Sequence, residues 1–267
     1  MNWKAKKTLF IDLDGTLLDV KNNSSYSVGK SNLLALKKAR DSGLTIVVSS
    51  GRFGKSSKPF LDVIKPDYAV LCNGAIIEKN NEILESKQVV ASDTAKIVEF
   101  CKLNNLTIKF NDSKKCYGNI ESEESKYVNE KLSYTKIGEY EDIPMDDNFK
   151  IVLWGKSVEI MWPLCKQLNR EIETISAAIS TEGYTIEITN KLATKGIGNM
   201  YVVEKLLNQT AEQAVHIGDS MNDFSVVDFM DLVAMENAPE SLKSRAKYIG
   251  PHYKEGGFAK IIDLMVD

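Results

Sequence analysis

The chain is poor in the residues from which zinc centres and disulfide frameworks are built. Its 267 residues include only two histidines, His216 and His252, and four cysteines, Cys72, Cys101, Cys116 and Cys165. The cysteines are widely spaced and form no CxxC pair, which argues against a zinc site and against a disulfide scaffold. Scattered single thiols read as reduced cysteines of a cytosolic protein. Long apolar runs are also lacking, and the N-terminal MNWKAKKTLFIDLDG meets two aspartates after a short apolar stretch, so neither a membrane span nor a signal peptide is expected. No charge of one sign dominates. A formal net charge of −3 gives no electrostatic reason to expect nucleic acid as a partner. With 43% apolar and 27% charged residues, the composition is that of a soluble, cytoplasmic globular protein with material for at least one core.

Internal repeats and low-complexity segments are absent too, but the chain changes texture twice. Over the first ~80 residues strand and helix signals alternate. Thr8 to Ile11 is a short buried-strand run, Leu33, Leu36 and Ala39 share a helical face that Gly43 can stop, and Thr45–Ser49 and Tyr68–Leu71 are two further strands. The last ~75 residues resume that grammar. A helix opens at Lys195-Gly196, strands fall at Ala214–Ile217 and Leu232–Met235, Pro239 suits the first position of a helix, and a closing helix covers roughly Phe258–Val266. Between them lie an amphipathic helix at Ser92–Asn104 and alternating strands at Thr107–Phe110, Lys150–Trp154 and Tyr184–Thr189, as in an antiparallel sheet with one wet face; Pro163 starts or kinks a helix there. The economical reading is an α/β core, residues 1–83 and 191–267, interrupted by an α+β insert over 84–190.

Ligands of open parallel sheets bind at the carboxyl ends of the strands, and each core strand here runs into polar or glycine residues. The ends are Asp12-Leu13-Asp14-Gly15-Thr16, Ser50-Gly51-Arg52, Asn73-Gly74 and Gly218-Asp219-Ser220-Met221-Asn222-Asp223. Asp12 and Asp14, two apart, point to one side, and carboxylates so crowded repel unless a cation lies between them or one takes a proton. A turn with a helix cap explains either acidic pair taken alone. The complete string Asp-x-Asp-Gly-Thr arises by chance in only about three chains per thousand of this length. Asp219 facing Asp12 across neighbouring strand ends gives the oxygen-rich site that Mg²⁺ prefers. Ser50 with Gly51 offers a hydroxyl and an open backbone N–H to phosphate oxygens, or is simply a loop. Lys195 is either solvated surface or the cation that neutralises a transferring phosphoryl group. His216 reads as a packed core residue and His252 as loop surface.

These residues, in this order, resemble the haloacid dehalogenase superfamily, specifically its Cof-type phosphatases with a type IIB cap. FIDLDGTLL is similar to the first motif, SSGR to the second, Thr194-Lys195-Gly196 to the third and GDSMND to the fourth. Asn73-Gly74-Ala75 and Met235-Glu236-Asn237-Ala238-Pro239 also fit, whereas Glu236 stands where glycine is usual and Lys254–Phe258 departs from the usual Asp-Gly-Val. The resemblance implies a Rossmann-like α/β core with an inserted α+β cap, and a magnesium-dependent phosphatase of small phosphorylated metabolites such as sugar phosphates. Asp12 would be the nucleophile and Asp14 the acid and base. Ser50, Gly51 and Lys195 would hold the phosphoryl group. Asp12, the Asp14 carbonyl and Asp219 would bind Mg²⁺, and Asp223 its water. Asn222 would position Lys195 or phosphate, and Arg52, Asn73 and Gly74 would line the entrance. In the cap, Tyr117, Glu182, Tyr184 and the stretch Asn111–Lys115 are possible contacts in loops that would close over substrate. The rivals are a phosphomutase using the same aspartate pair and a non-catalytic phosphometabolite sensor; Asp14 argues against a dehalogenase.

Overall fold

The structure is a computed structural model describing residues 2–21, 25–111, 116–119, 134–136, 140, 143, 145–146, 148–155, 157–180 and 183–266. It divides into two compact units: residues 1–51, 57–85 and 194–267 form the first, and 52–56 with 86–193 the second. Among the described residues no helix is long and apolar enough to cross a membrane.

The first unit is built on an eight-stranded sheet in the order Tyr248–Gly250, Asp231–Met235, Ala214–Gly218, Thr8–Ile11, Thr45–Ser49, Tyr68–Leu71, Ile76–Lys79, Glu82–Ser86. The first six pair in parallel, and Ile76–Lys79 is antiparallel to Tyr68–Leu71. Thr8–Ile11 is buried at every position, as a central strand covered on both faces must be. Phe10, Val47 and Val70 pack on one face with Val202 and Val203 of the segment after Lys195. The helices Lys30–Asp41 and Gly257–Val266 pack against each other. After Thr8–Ile11 the chain builds outward on one side, through Thr45–Ser49 and Tyr68–Leu71. After Ala214–Gly218 it builds outward on the other, so the ends of these two neighbouring strands mark the topological switch point.

The pattern of apolar residues does not predict every feature of this unit. The hairpin Ile76–Lys79/Glu82–Ser86 turns on Asn80 and Asn81, both left-handed (φ 53° and 66°), the backbone of a two-residue primed turn. The helix opening at Lys195 runs to Tyr201 and continues through Leu206 with wider, π-type winding.

The second unit holds a six-stranded sheet in the order Tyr134–Lys136, Cys116–Gly118, Thr107–Asn111, Lys150–Trp154, Thr185–Asn190, Ile175–Ser180. It is antiparallel as expected, except that Cys116–Gly118 and Tyr134–Lys136 pair in parallel. The helices Ala91–Asn104 and Val158–Glu171 supply Ile97, Cys101, Met161 and Leu168 to its core. Pro163 lies inside the second helix, so it does not start it. Tyr184 is largely exposed. Residues 112–115, Glu182 and the side chain of Tyr117 lie outside what the structure describes.

Candidate active site

Four strand ends of the first unit carry the predicted carboxylates, Ser50, Gly51, Asn73, Gly74 and Asn222, and Lys195 opens a helix of the same unit. Asp12 follows Thr8–Ile11 with extended backbone (φ −73°, ψ 156°) and its N–H bonded to the Ile217 carbonyl at 2.9 Å. The chain then turns through Leu13–Leu17, where Gly15 takes φ +72°. A Cβ at Gly15 would sit 2.2 Å from Asp219 Oδ2, so this glycine is required both by its dihedral and by the approach of a carboxylate. On the neighbouring strand Gly218 is required by close approach alone, since a Cβ there would lie 2.3 Å from the Asp223 carboxyl carbon.

Lys195 is wholly buried, not solvated surface. Thr194 caps its helix by accepting from the Ile197 N–H, and Nζ donates to Asp12 Oδ1 and to Asp223 Oδ1, each at 2.7 Å. Burial alone would depress the Lys195 pKa; the Asp12 and Asp223 carboxylates overcome it and hold the ammonium well above its usual range. Burial likewise opposes ionisation of Asp223, but Lys195 and the hydrogen bond from His216 pull its pKa well below the carboxylate range. Asp12 goes the other way. Burial, with the Asp223 and Asp219 charges adding to it, outweighs Lys195 and raises its pKa well above the usual value. Asp219 is pushed up to about 7, by burial first and by the Asp223 charge second.

The pattern has one cause. Oxygens of Asp12, Asp219 and Asp223 all lie within 4.8 Å of one another, and the cation bonded among them is Lys195. Three carboxylates against one ammonium leave an excess of negative charge that protonation relieves in part and a divalent cation relieves better. The donor set, carboxylate oxygens without sulfur or imidazole, is that of a hard cation such as Mg²⁺. Asp219 keeps acceptor capacity for one, since Oδ1 accepts from Thr16 Oγ1 (3.2 Å) and Oδ2 from Asn237 Nδ2 (2.9 Å). Asp223 accepts four hydrogen bonds: Oδ1 from Lys195 and His216, and Oδ2 from the backbone N–H groups of Asp219 (3.0 Å) and Ser220 (2.9 Å).

Ser50 is buried at the end of its strand; its N–H donates to the Val70 carbonyl and its own carbonyl accepts from the Asn73 N–H. Asn73 is left-handed (φ 58°), a conformation asparagine tolerates, and its Oδ1 accepts from Asn222 Nδ2 at 3.0 Å. A Cβ on Gly51 would reach that Oδ1 at 2.8 Å, and one on Gly74 (φ +103°) would meet the Thr194 carbonyl at 2.2 Å. The Asn73-Gly74 turn therefore packs directly on the cap of the Lys195 helix. Asn222 is bonded to Asn73 and Ser220, and Lys195 is held instead by the two aspartates. Asp14 is half-buried in the turn after Asp12. Arg52 falls in the second unit, where its guanidinium donates to the Ser56 carbonyl at 3.4 Å. His252 accepts from the Lys254 N–H and stacks on Tyr253.

Thr16, Asn237 and His216 were given no role by sequence reasoning. Thr16 belongs to the first motif and Asn237 to a segment already matched, so a signal existed for both. For His216 there was none, because a histidine inside a buried strand looks like packing until its partners are seen.

A family model described as haloacid dehalogenase-like hydrolase matches residues 9–262. The chain is 27% identical over 258 residues to the 5-amino-6-(5-phospho-D-ribitylamino)uracil phosphatase YcsE of Bacillus subtilis (strain 168), covering 96% of this chain and 94% of that protein. It is 24% identical over 294 residues to a phosphatase of the same description, YwtE, from that organism, covering 97% and 98%. The solved structure of a haloacid dehalogenase-like hydrolase from B. subtilis superposes with a TM-score of 0.85 at 23% identity, over 96% of this chain and 99% of that one. A subclass IIB sugar phosphatase of the same superfamily superposes with a TM-score of 0.83 at 20% identity, over 97% and 98%. These last two likenesses concern the fold.

Proposed function

The chain belongs to the haloacid dehalogenase-like hydrolases, and we propose that it is a magnesium-dependent phosphatase of small phosphorylated metabolites, sugar-phosphate-like monoesters among them, working through an aspartyl-phosphate on Asp12. The observation that carries this reading is the placement of Asp12. It stands at the end of the central strand, buried, and 2.7 Å from an ammonium that is itself anchored on Asp223. A carboxylate held in one direction by a fixed cation has its other oxygen oriented for in-line attack.

In the first step Asp12 attacks phosphorus and the bond to the leaving oxygen breaks, with Asp14 supplying the proton that oxygen needs. In the second step Asp14, now ionised, takes a proton from water as the water attacks phosphorus. The phosphorus–Asp12 bond breaks, and inorganic phosphate and free Asp12 result. The Ser50 hydroxyl, the Gly51 N–H and Lys195 hold the phosphoryl oxygens, and the Asn73–Asn222 bond fixes the loop beside them. Asp12, Asp219 and the Asp14 backbone carbonyl would hold Mg²⁺, which when bound supplies neutralisation of the charge on the transferring group. Asp223 anchors Lys195 through Oδ1, and with an oxygen within 4.8 Å of oxygens of Asp12 and Asp219 it would also hold water of the ion.

The test is turnover of p-nitrophenyl phosphate with Mg²⁺, with EDTA, and by Asp12→Asn. Product release that requires both the metal and Asp12, and that continues without a bisphosphate activator, is expected. Activity that survives in Asp12→Asn would remove Asp12 as nucleophile.

A further inference from the structure

Behind Asp223 runs a buried polar chain that the two-aspartate chemistry does not call for. Ser49 Oγ donates to Asn199 Oδ1 at 2.8 Å, Asn199 Nδ2 lies 3.2 Å from His216 Nδ1, and His216 Nε2 lies 2.7 Å from Asp223 Oδ1. All three side chains are fully buried. They come from three elements: the end of the strand Thr45–Ser49, the helix Lys195–Tyr201 and the strand Ala214–Gly218. Register explains how they meet. His216 pairs with Phe10, which pairs with Val47, so all three side chains share the sheet face on which Val202 and Val203 lie; Ser49, two residues past Val47, shares it too. Asn199 is one helical turn beyond Lys195 and so faces the same way.

Apolar side chains would fill such positions without the cost of desolvating an imidazole, an amide and a hydroxyl. Here each polar group finds a partner, and the partners fix one another. Asp223 Oδ1 accepts, so His216 Nε2 carries a hydrogen. Ser49 gives its proton to Asn199 Oδ1, which turns the amide nitrogen, a donor only, toward His216, so Nδ1 must accept. The result is a single tautomer, with the Nε2–H aimed at the same carboxylate oxygen that receives Lys195 Nζ.

We propose that His216, oriented by Asn199 and Ser49, is a positioning residue for Lys195: it shares the Asp223 oxygen with the ammonium and so sets how tightly Asp223 draws Lys195 away from Asp12. Two donors on one oxygen divide its electron density, and a neutral second donor does this without adding a cation to compete for Asp12. With His216 gone, Lys195 is the sole partner of that oxygen, moves toward Asp223, and lends less of its charge to the phosphoryl group. The proposal rests on the phosphatase reading of Asp12 and Lys195.

The experiment compares His216→Met, close in volume but without a donor, with His216→Gln, whose amide nitrogen reaches the place of Nε2. Turnover of p-nitrophenyl phosphate is measured on protein shown to be folded by its melting transition. We expect kcat to fall by at least about tenfold in the Met variant with KM within about threefold, and the Gln variant to return kcat to within about threefold of wild type. Nitrogen NMR of histidine-labelled protein gives a second readout independent of turnover. With only two histidines in the chain, His252→Gln leaves His216 alone in the spectrum, and the neutral Nε2–H tautomer is expected. Wild-type kcat in the Met variant, a Gln variant as impaired as the Met variant, or an Nδ1–H tautomer would each overturn the proposal. Failure of the wild-type protein to turn over any phosphate ester would instead count against the phosphatase reading, and the tautomer would still decide whether the chain is ordered as described.

Discussion

Replacing Lys195 by methionine removes the positive charge and leaves the volume. Nζ lies 2.7 Å from Asp12 and from Asp223, and none of the three side chains is more than 5% exposed. Removing one partner of a buried ion pair costs about 3–5 kcal/mol, because a charge is left behind without compensation. Part of that cost is recovered by protonation. Burial and the Asp223 and Asp219 charges already raise the Asp12 pKa against the pull of Lys195, and without Lys195 they act unopposed. The sign of the pH dependence follows. A carboxyl whose pKa is raised by folding binds a proton in the folded state where the unfolded chain, at about 3.9, has lost it, so the deficit shrinks as pH falls toward that value and is fully felt at high pH. Urea unfolding in EDTA should therefore show a loss of about 3–5 kcal/mol near pH 8 and a clearly smaller one near pH 5. Turnover should drop by about a thousandfold or more, since the phosphoryl group then lacks its cation. A variant as stable as wild type near pH 8, or one with a deficit that does not change with pH, would refute the assignment of Lys195 as the charge that holds the three carboxylates together.

Three further outcomes are expected. Gly15→Ala forces a left-handed alanine whose Cβ meets Asp219 Oδ2 at 2.2 Å; it should cost about 1–3 kcal/mol of stability and weaken Mg²⁺ binding by at least about tenfold, measured by calorimetric titration. Asp219, at about 7 when metal-free, should make the stability of the metal-free wild type fall as pH rises from about 4 to about 7, a slope that saturating Mg²⁺ should flatten in the same urea titrations because the ion binds the ionised form. Lys6, buried at the opposite end of the strands, donates to the Glu212 and Ala214 carbonyls at 2.8 Å and pairs with Asp231 at 2.7 Å. Lys6→Met should thus destabilise by about 2–3 kcal/mol while kcat/KM is unchanged.

The core fold was legible because its strands are short apolar runs that end abruptly in glycine and acid. The topology then does what such ends require and gathers them at the switch point between Thr8–Ile11 and Ala214–Gly218. Lys195 was legible as a motif residue but not as a buried one, because a lysine at the start of a helix has no local feature that separates a solvated chain from one stretched between two carboxylates. The hairpin after Tyr68–Leu71 is not legible in the sequence, since its turn is made by Asn80-Asn81 without glycine or proline, and its outer strand, Glu82–Ser86, has little buried surface to impose an alternating pattern. His216, Asn199 and Ser49 could not be connected from sequence. They lie 17 and 150 residues apart, and only the register of three strands and the phase of one helix bring them into line.

The most direct measurement is to quench the enzyme with borohydride during steady turnover of a phosphate ester and to map the peptides. An acyl phosphate on Asp12 is reduced to homoserine, so homoserine should appear at position 12, require Mg²⁺ and substrate, and be absent from Asp12→Asn. Homoserine at Asp14 or Asp219, or continued phosphate release without modification at position 12, would contradict covalent catalysis by Asp12.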